Sequence, residues 1–153
     1  MKILVFSDSH NDIISMVRTV ENNRPDMIIH LGDNYNDAQI LKTKFPEIHF
    51  ETVVGNCDFE SAHTIKIFEV EGIKFFITHG HLYGVKTRMD RLIKKGCEEQ
   101  ADIVLFGHTH KAYLSKENGM WVINPGIINK IFTPTYAQII IENGQADCEI
   151  IYN

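Results

Sequence analysis

Short apolar runs, each closed by a small polar cluster, set the rhythm of the first half of the chain. Lys2–Phe6 (KILVF) is apolar without alternation, the pattern of a strand covered on both faces. Ile13, Met16, Val17 and Val20 follow at helical spacing, so a helix comes next. Met27–Leu31 reads as a second strand, ending in Gly32-Asp33. A helix is expected over Asp37–Lys44, stopping before Pro46, because the residue ahead of a proline disfavours helical backbone. Ile48–Val54 reads as a third strand, ending in Gly55-Asn56. This β-α-β-α-β order predicts a parallel sheet with right-handed crossovers.

The second half changes style. Thr64–Val70 and Ile73–Thr78 predict a hairpin around Glu71-Gly72. Val85, Met89, Leu92 and Ile93 mark a helix, with Gly96 as its expected C-terminal cap. Asp102–Phe106 is a further buried strand. Two more hairpins are signalled by Asn118-Gly119 and Asn143-Gly144, good pairs for a type I′ turn. No linker, internal repeat or low-complexity stretch divides the 153 residues, so a single domain over 1–153 is expected.

Composition narrows the function classes. With 44% hydrophobic and 23% charged residues the balance is that of a globular domain, and no apolar run approaches the ~20 residues of a membrane-spanning helix. The N-terminal apolar run stops at Phe6, which argues for a strand rather than a secretion signal. A formal net charge of −5 excludes the broad basic surface that stable binding of long nucleic acid requires. Bound cations would still draw a phosphate to one place. Cys57, Cys97 and Cys148 are widely spaced and form no CxxC pair, so no disulfide framework is expected and a cytoplasmic location is.

The chemistry lies in the eight histidines and where they fall. Five apolar runs end in polar clusters: Ser7-Asp8-Ser9-His10-Asn11, Gly32-Asp33-Asn34, Gly55-Asn56-Cys57-Asp58, Thr78-His79-Gly80-His81 and Gly107-His108-Thr109-His110. Ligand sites in open α/β sheets lie beyond the carboxyl ends of the strands, so all five clusters can converge on one edge. Asp8 and His10 are two residues apart, as are His108 and His110, and strand alternation would point each pair the same way. Carboxylate, imidazole and amide oxygen together suit Mn, Fe, Ni or Zn better than Mg or Ca, which favour all-oxygen surroundings.

The order DxH…GD…GN…H…GHTH, running from Asp8 to His110, resembles the calcineurin-like metallophosphoesterases, and most of all their small bacterial and archaeal phosphodiesterase branch. The resemblance implies an α/β fold built as a four-layer α-β-β-α sandwich with two facing mixed sheets. It implies two divalent metal ions, Mn2+ foremost, with Ni2+, Fe2+ or Zn2+ as alternatives. Asp8, His10, Asp33 and His110 would hold one ion; Asp33, Asn56, His79 and His108 would hold the other, with Asp33 bridging. Asp33, Asn56 and His108 would then be the catalytic residues, around a bridging hydroxide that attacks phosphorus. The substrate would be a small phosphate ester, and small members of the family often form homodimers or homotetramers.

Each of these residue types also has an ordinary structural use. A lone Asp or Asn after a strand is usually a turn former or helix cap, and only the ordered set promotes Asp8, Asp33 and Asn56 above that. His30 lies inside a strand and reads as a core residue, while His49 and His63 read as exposed. His81, Asn34 and Asp58 are candidates for supporting the ligands or touching substrate. Asn124-Pro125-Gly126 reads equally as a turn and as the family's later NPG element near the substrate. Related monoesterases carry GNH where this chain has Gly55-Asn56-Cys57, which favours a diester; Cys57 is expected to be a small buried residue. Two other readings stand beside this one: a phosphomonoesterase, and a non-catalytic scaffold such as the retromer subunit that uses this fold for protein contacts. Haloacid-dehalogenase-like phosphatases need a second Asp where this chain has His10, and an eight-stranded barrel needs roughly 200 residues or more.

Overall fold

The computed structural model describes residues 1–152. Two five-stranded mixed sheets face each other, with helices outside. The first sheet runs β10-β9-β1-β2-β3 and the second β4-β5-β6-β8-β7. In the first, β1 (Lys2–Phe6), β2 (Met27–His30) and β3 (His49–Thr52) are parallel, and β9 (Thr135–Glu142) and β10 (Gln145–Tyr152) close one side antiparallel. In the second, β5 (Ile73–Thr78), β6 (Ile103–Leu105) and β8 (Met120–Asn124) are parallel, flanked by antiparallel β4 (Ile65–Val70) and β7 (Tyr113–Glu117).

Strand alternation explains the unbroken apolar runs. Along β1, Ile3 and Val5 enter the core between the sheets, while Leu4 and Phe6 enter the core under the helices. Along β5, Phe75 and Ile77 face the inter-sheet core and Phe76 the opposite side. α1 (Ile13–Asn23) and α2 (Tyr35–Lys44) cover the outer face of the first sheet, and α3 (Asp90–Glu98) covers that of the second. This gives the four layers that the motif order implied. Each large side chain so buried contributes about 1.5–3 kcal/mol.

Several boundaries differ from the sequence reading, each for a local reason. α2 begins two residues ahead of Asp37 because Asp58, from the loop after β3, receives the backbone N–H groups of Asn34 and Tyr35 at 2.8 Å. Val85 lies in a turn ahead of α3 and packs into the outer core from there. Gly96 is not the cap: it sits inside α3, where an added Cβ would lie 2.6 Å from Val104 Cγ2. It is a close-packing position against β6, and α3 ends two residues later. All three hairpin turns, Glu71-Gly72, Asn118-Gly119 and Asn143-Gly144, have positive φ at both central residues, as type I′ requires.

A candidate metal centre

The carboxyl ends of the parallel strands of both sheets lie along one edge, and backbone hydrogen bonds tie their loops together. Asp8 N–H donates to Gly32 O at 3.0 Å within the first sheet, and Gly107 N–H to His79 O at 2.9 Å within the second. Two side chains cross between the sheets: Asp8 Oδ2 accepts the His108 N–H at 3.1 Å, and His79 Nδ1 donates to Leu31 O at 2.8 Å.

The loops converge by unusual backbone. Asp8, His10, Asn11, Asp33, Asn34, His108 and His110 all have φ between 42° and 79°. Left-handed backbone costs a non-glycine residue roughly 1–2 kcal/mol, and its concentration at one edge marks a site the rest of the fold holds in place. Asp8–His10 and His108–His110 therefore do converge, but through left-handed loops beyond the strand ends and not through strand alternation. Gly55 lets the β3 loop approach: a Cβ there would stand 2.1 Å from Asp33 Oδ1.

Two overlapping sets of donors result. In Asp8, His10, Asp33 and His110, and again in Asp33, His79 and His108, the donor atoms of each set lie within 4.8 Å of one another. Asp33 is common to both. His79 is fully buried, and its Nδ1 faces a carbonyl, which can only accept. Nδ1 therefore carries the proton and Nε2 presents its lone pair, 3.3 Å from Asp33 Oδ1 and 4.0 Å from Asp8 Oδ1. Asp8 Oδ2 is taken up by the Ser7 hydroxyl at 2.5 Å and by His108 N–H. That leaves Asp8 Oδ1 and His79 Nε2 buried with no hydrogen-bond partner. An unmet buried polar atom costs about 1–3 kcal/mol, and two of them aimed into one hollow beside Asp33 are what a cation would satisfy. The residues fit a metal.

The electrostatics agree. Burial pulls Asp33 toward protonation, but His79 and the Cys57 N–H, 3.0 Å from its Oδ1, hold its carboxyl well below the usual range. Burial opposes charge on His79, yet the adjacent Asp33 and Asp8 carboxylates raise its pKa. His110 is raised by Asp8, 3.2 Å away. His108 is lowered to about 4, first by burial and then by the charges of His79 and Lys86, which keeps its imidazole neutral near pH 7.

Other residues named from the sequence fall around this hollow. Asn56 is exposed on the β3 loop, with its Nδ2 3.4 Å from Cys57 Sγ. Cys57 is exposed rather than buried, because it sits on the open loop after β3, and both its N–H and its thiol lie against Asp33. Partial burial, a hydrogen bond to the Asp33 carboxylate and the Asp33 charge raise the pKa of its thiol. Asn34 donates to Asn11 Oδ1 at 2.9 Å, joining the β1 and β2 loops. Asp58 binds four backbone N–H groups, those of Asp33, Asn34, Tyr35 and Gly55, at 2.7–3.0 Å, so one carboxylate clamps the β2 and β3 loops. His81 stands with its ring centroid 5.5 Å from that of His79 and 6.1 Å from that of His108, and its Nδ1 is buried without a partner. His49 and His63 are exposed.

Sequence reasoning missed a buried relay beneath the site. His30 Nδ1 accepts the Gly32 N–H at 3.2 Å, and His30 Nε2 lies 3.3 Å from Ser9 Oγ, whose hydroxyl donates to Asp37 Oδ2 at 2.7 Å. Asn129 donates to the carbonyls of Ser9 and His10, and Asn124 to Gly107 O and Thr109 Oγ1. The NPG element is thus a turn that also pins the GHTH loop. No local signal marks Asn129 as a site residue, since the two carbonyls its amide donates to lie 119 and 120 residues away.

Comparison with known proteins agrees with this geometry. The sequence model of the calcineurin-like phosphoesterase superfamily domain matches residues 1–144. The chain is 32% identical to the probable metallophosphoesterase YsnB of Bacillus subtilis, over 95% of this chain and 88% of that one. It is 29% identical to the phosphodiesterase MJ0936 of Methanocaldococcus jannaschii, over 82% and 83%. Among solved structures, a predicted phosphoesterase from Streptococcus pneumoniae superposes with a TM-score of 0.80 at 25% identity, covering 99% of this chain and 88% of that one.

Proposed function

The chain belongs to the calcineurin-like phosphoesterase superfamily and is a phosphoester hydrolase, and from that premise we propose that it is a dinuclear phosphodiesterase. The observation that carries this reading is the pair of donor sets sharing Asp33, with Asp8 Oδ1 and His79 Nε2 left unpartnered between them. Asp8, His10, Asp33 and His110 would hold one divalent ion, and Asp33, Asn56, His79 and His108 the other. The mixed nitrogen and oxygen donors favour Mn2+, with Fe2+, Ni2+ and Zn2+ as the alternatives. When bound, such ions supply an acidified water and offset charge on the phosphoryl oxygens.

The protein's own groups do the rest. Asp33, kept ionised, supplies the negative charge that lets two cations sit close together. His79 is fixed in its tautomer by Leu31 O, so it needs no reorientation. His108 stays neutral near pH 7 and so keeps its lone pair for a cation. His81, whose ring stands beside those of His79 and His108, would support these ligands or touch the substrate. No histidine follows Asn56, and Cys57 with its raised pKa is a poor acid for an alkoxide leaving group. A monoanionic diester also meets less repulsion than a dianionic monoester in a chain of net charge −5. The preferred substrate is therefore an activated phosphodiester. The three free thiols fit a cytoplasmic location.

The deciding experiment is metal analysis and nitrophenyl mono- and diester hydrolysis by wild type and Asp33→Ala. Wild type should hold two ions and prefer the diester; the variant should lose both ions and its activity. Two full sites in Asp33→Ala would remove the bridging role. A wild type with neither metal nor activity would favour a scaffold, and a monoester preference would favour a phosphomonoesterase.

A further inference from the structure

Beside the GHTH loop lies a groove of about 580 Å³. Thr109, which stands between the candidate ligands His108 and His110, is one of its lining residues and joins the groove to the donor sets. Val85, Met89 and Tyr113 supply an apolar and aromatic wall, and Lys86 and Lys111 line it with positive charge. Asn124 Nδ2 donates to Thr109 Oγ1 at 3.0 Å, so this lining residue is tied to β8 of the second sheet. Neither lysine ammonium has an ion-pair partner among the described residues, although acidic residues outnumber basic ones by 20 to 15 in this chain. Lys86 is also near enough for its charge to act on both His108 and His110.

A surface like this is matched to a particular occupant. Unpaired cations beside an aromatic wall attract an anion carried on a flat, partly apolar body. The scissile phosphate belongs at the donor sets, so the anion that Lys86 and Lys111 would meet is a second one, on the organic part of the ester. We propose that this groove binds the organic part of the diester and selects one carrying a flat ring and a further phosphate, as a nucleotide does. The proposal rests on the phosphodiesterase reading above, and it adds the substrate class of that site.

Three diesters with the same nitrophenolate leaving group separate the components: methyl 4-nitrophenyl phosphate, thymidine 5′-(4-nitrophenyl phosphate), and the latter bearing a 3′-phosphate. In the metal-loaded wild type, kcat/KM should rise along that series, with the 3′-phosphate adding about tenfold, as expected for a charge-assisted contact. In Lys86→Ala/Lys111→Ala, with matched metal content, the advantage of the 3′-phosphate should vanish. A wild type indifferent to the 3′-phosphate, or a double variant that retains the preference, would overturn the proposal. Calorimetry with thymidine 3′,5′-bisphosphate on metal-stripped protein reads the groove without hydrolysis. The double variant should bind about tenfold more weakly than wild type, and equal affinities would overturn the proposal. Failure of the metal-loaded wild type to hydrolyse any of the three esters would instead overturn the phosphodiesterase reading, while lysine-dependent binding of the bisphosphate would still support the groove.

Discussion

The two donor sets share Asp33 but are built differently. The deep one contains His79, fully buried, with Nδ1 tied to Leu31 O and Nε2 aimed at two carboxylates. The rim one contains His10 and the exposed His110, whose Nε2 atoms stand 3.4 Å apart. The two rim rings meet each other, and His110 Nε2 lies 3.2 Å from Asp8 Oδ1 without a hydrogen bond to it. A ligand already locked in its tautomer and rotamer loses little entropy when a cation arrives, whereas rim rings must be ordered at that moment. The comparison teaches that two donor sets with nearly the same donor types need not be equally preorganised. The deep set should bind its ion more tightly and release it more slowly.

The largest effect should come from testing that inequality directly. His79→Ala should weaken the tighter of two binding events on the order of 100-fold, and His10→Ala should weaken chiefly the looser one, on the order of 10-fold. Metal titration calorimetry on both variants reads this, and a greater loss from His10→Ala would reverse the ranking.

A second, smaller effect sharpens what lies beneath both sets. His30 is wholly buried, and burial lowers its pKa from 6.5 to about 4. Because the folded value lies below the unfolded one, the unfolded chain takes up this proton first. The contribution is steady above pH 6.5 and is lost progressively as pH falls toward 4. Between pH 7 and 5, His30 alone should cost about 2 kcal/mol of stability. Urea unfolding of metal-stripped wild type and His30→Asn at both pH values isolates that difference. Equal pH dependence in the two proteins would mean that His30 is not held neutral in the fold.

The smallest effect concerns Cys57, whose N–H and thiol both lie against Asp33. Cys57→Ala keeps the N–H that serves Asp33 Oδ1, so kcat/KM for a nitrophenyl diester should stay within about twofold at matched metal content. A thousand-fold loss would give the thiol a part in the chemistry and tie the deep set to a side chain rather than to a loop.

Much of this was legible along the chain because it is local. Apolar runs locate strands, helical spacing locates α1, and Asn-Gly pairs locate hairpin turns, since each depends on neighbours a few residues apart. The sequence order also named residues that the fold brings together as two donor sets, because they stand in turn after the strands that end on one edge. Tertiary structure decided what those residues do. It left Asp8 Oδ1 free by spending Oδ2 on Ser7 and on His108, a hundred residues away. It brought Asp58 across to cap α2 and clamp two loops, made Gly96 a packing position, and left Cys57 exposed. It also forced five of the candidate ligands into left-handed backbone, which their own preferences oppose. The physical reason is the same in each case. A residue's type fixes what it can bond, but the atom left available is set by partners that arrive only when distant loops close on one edge.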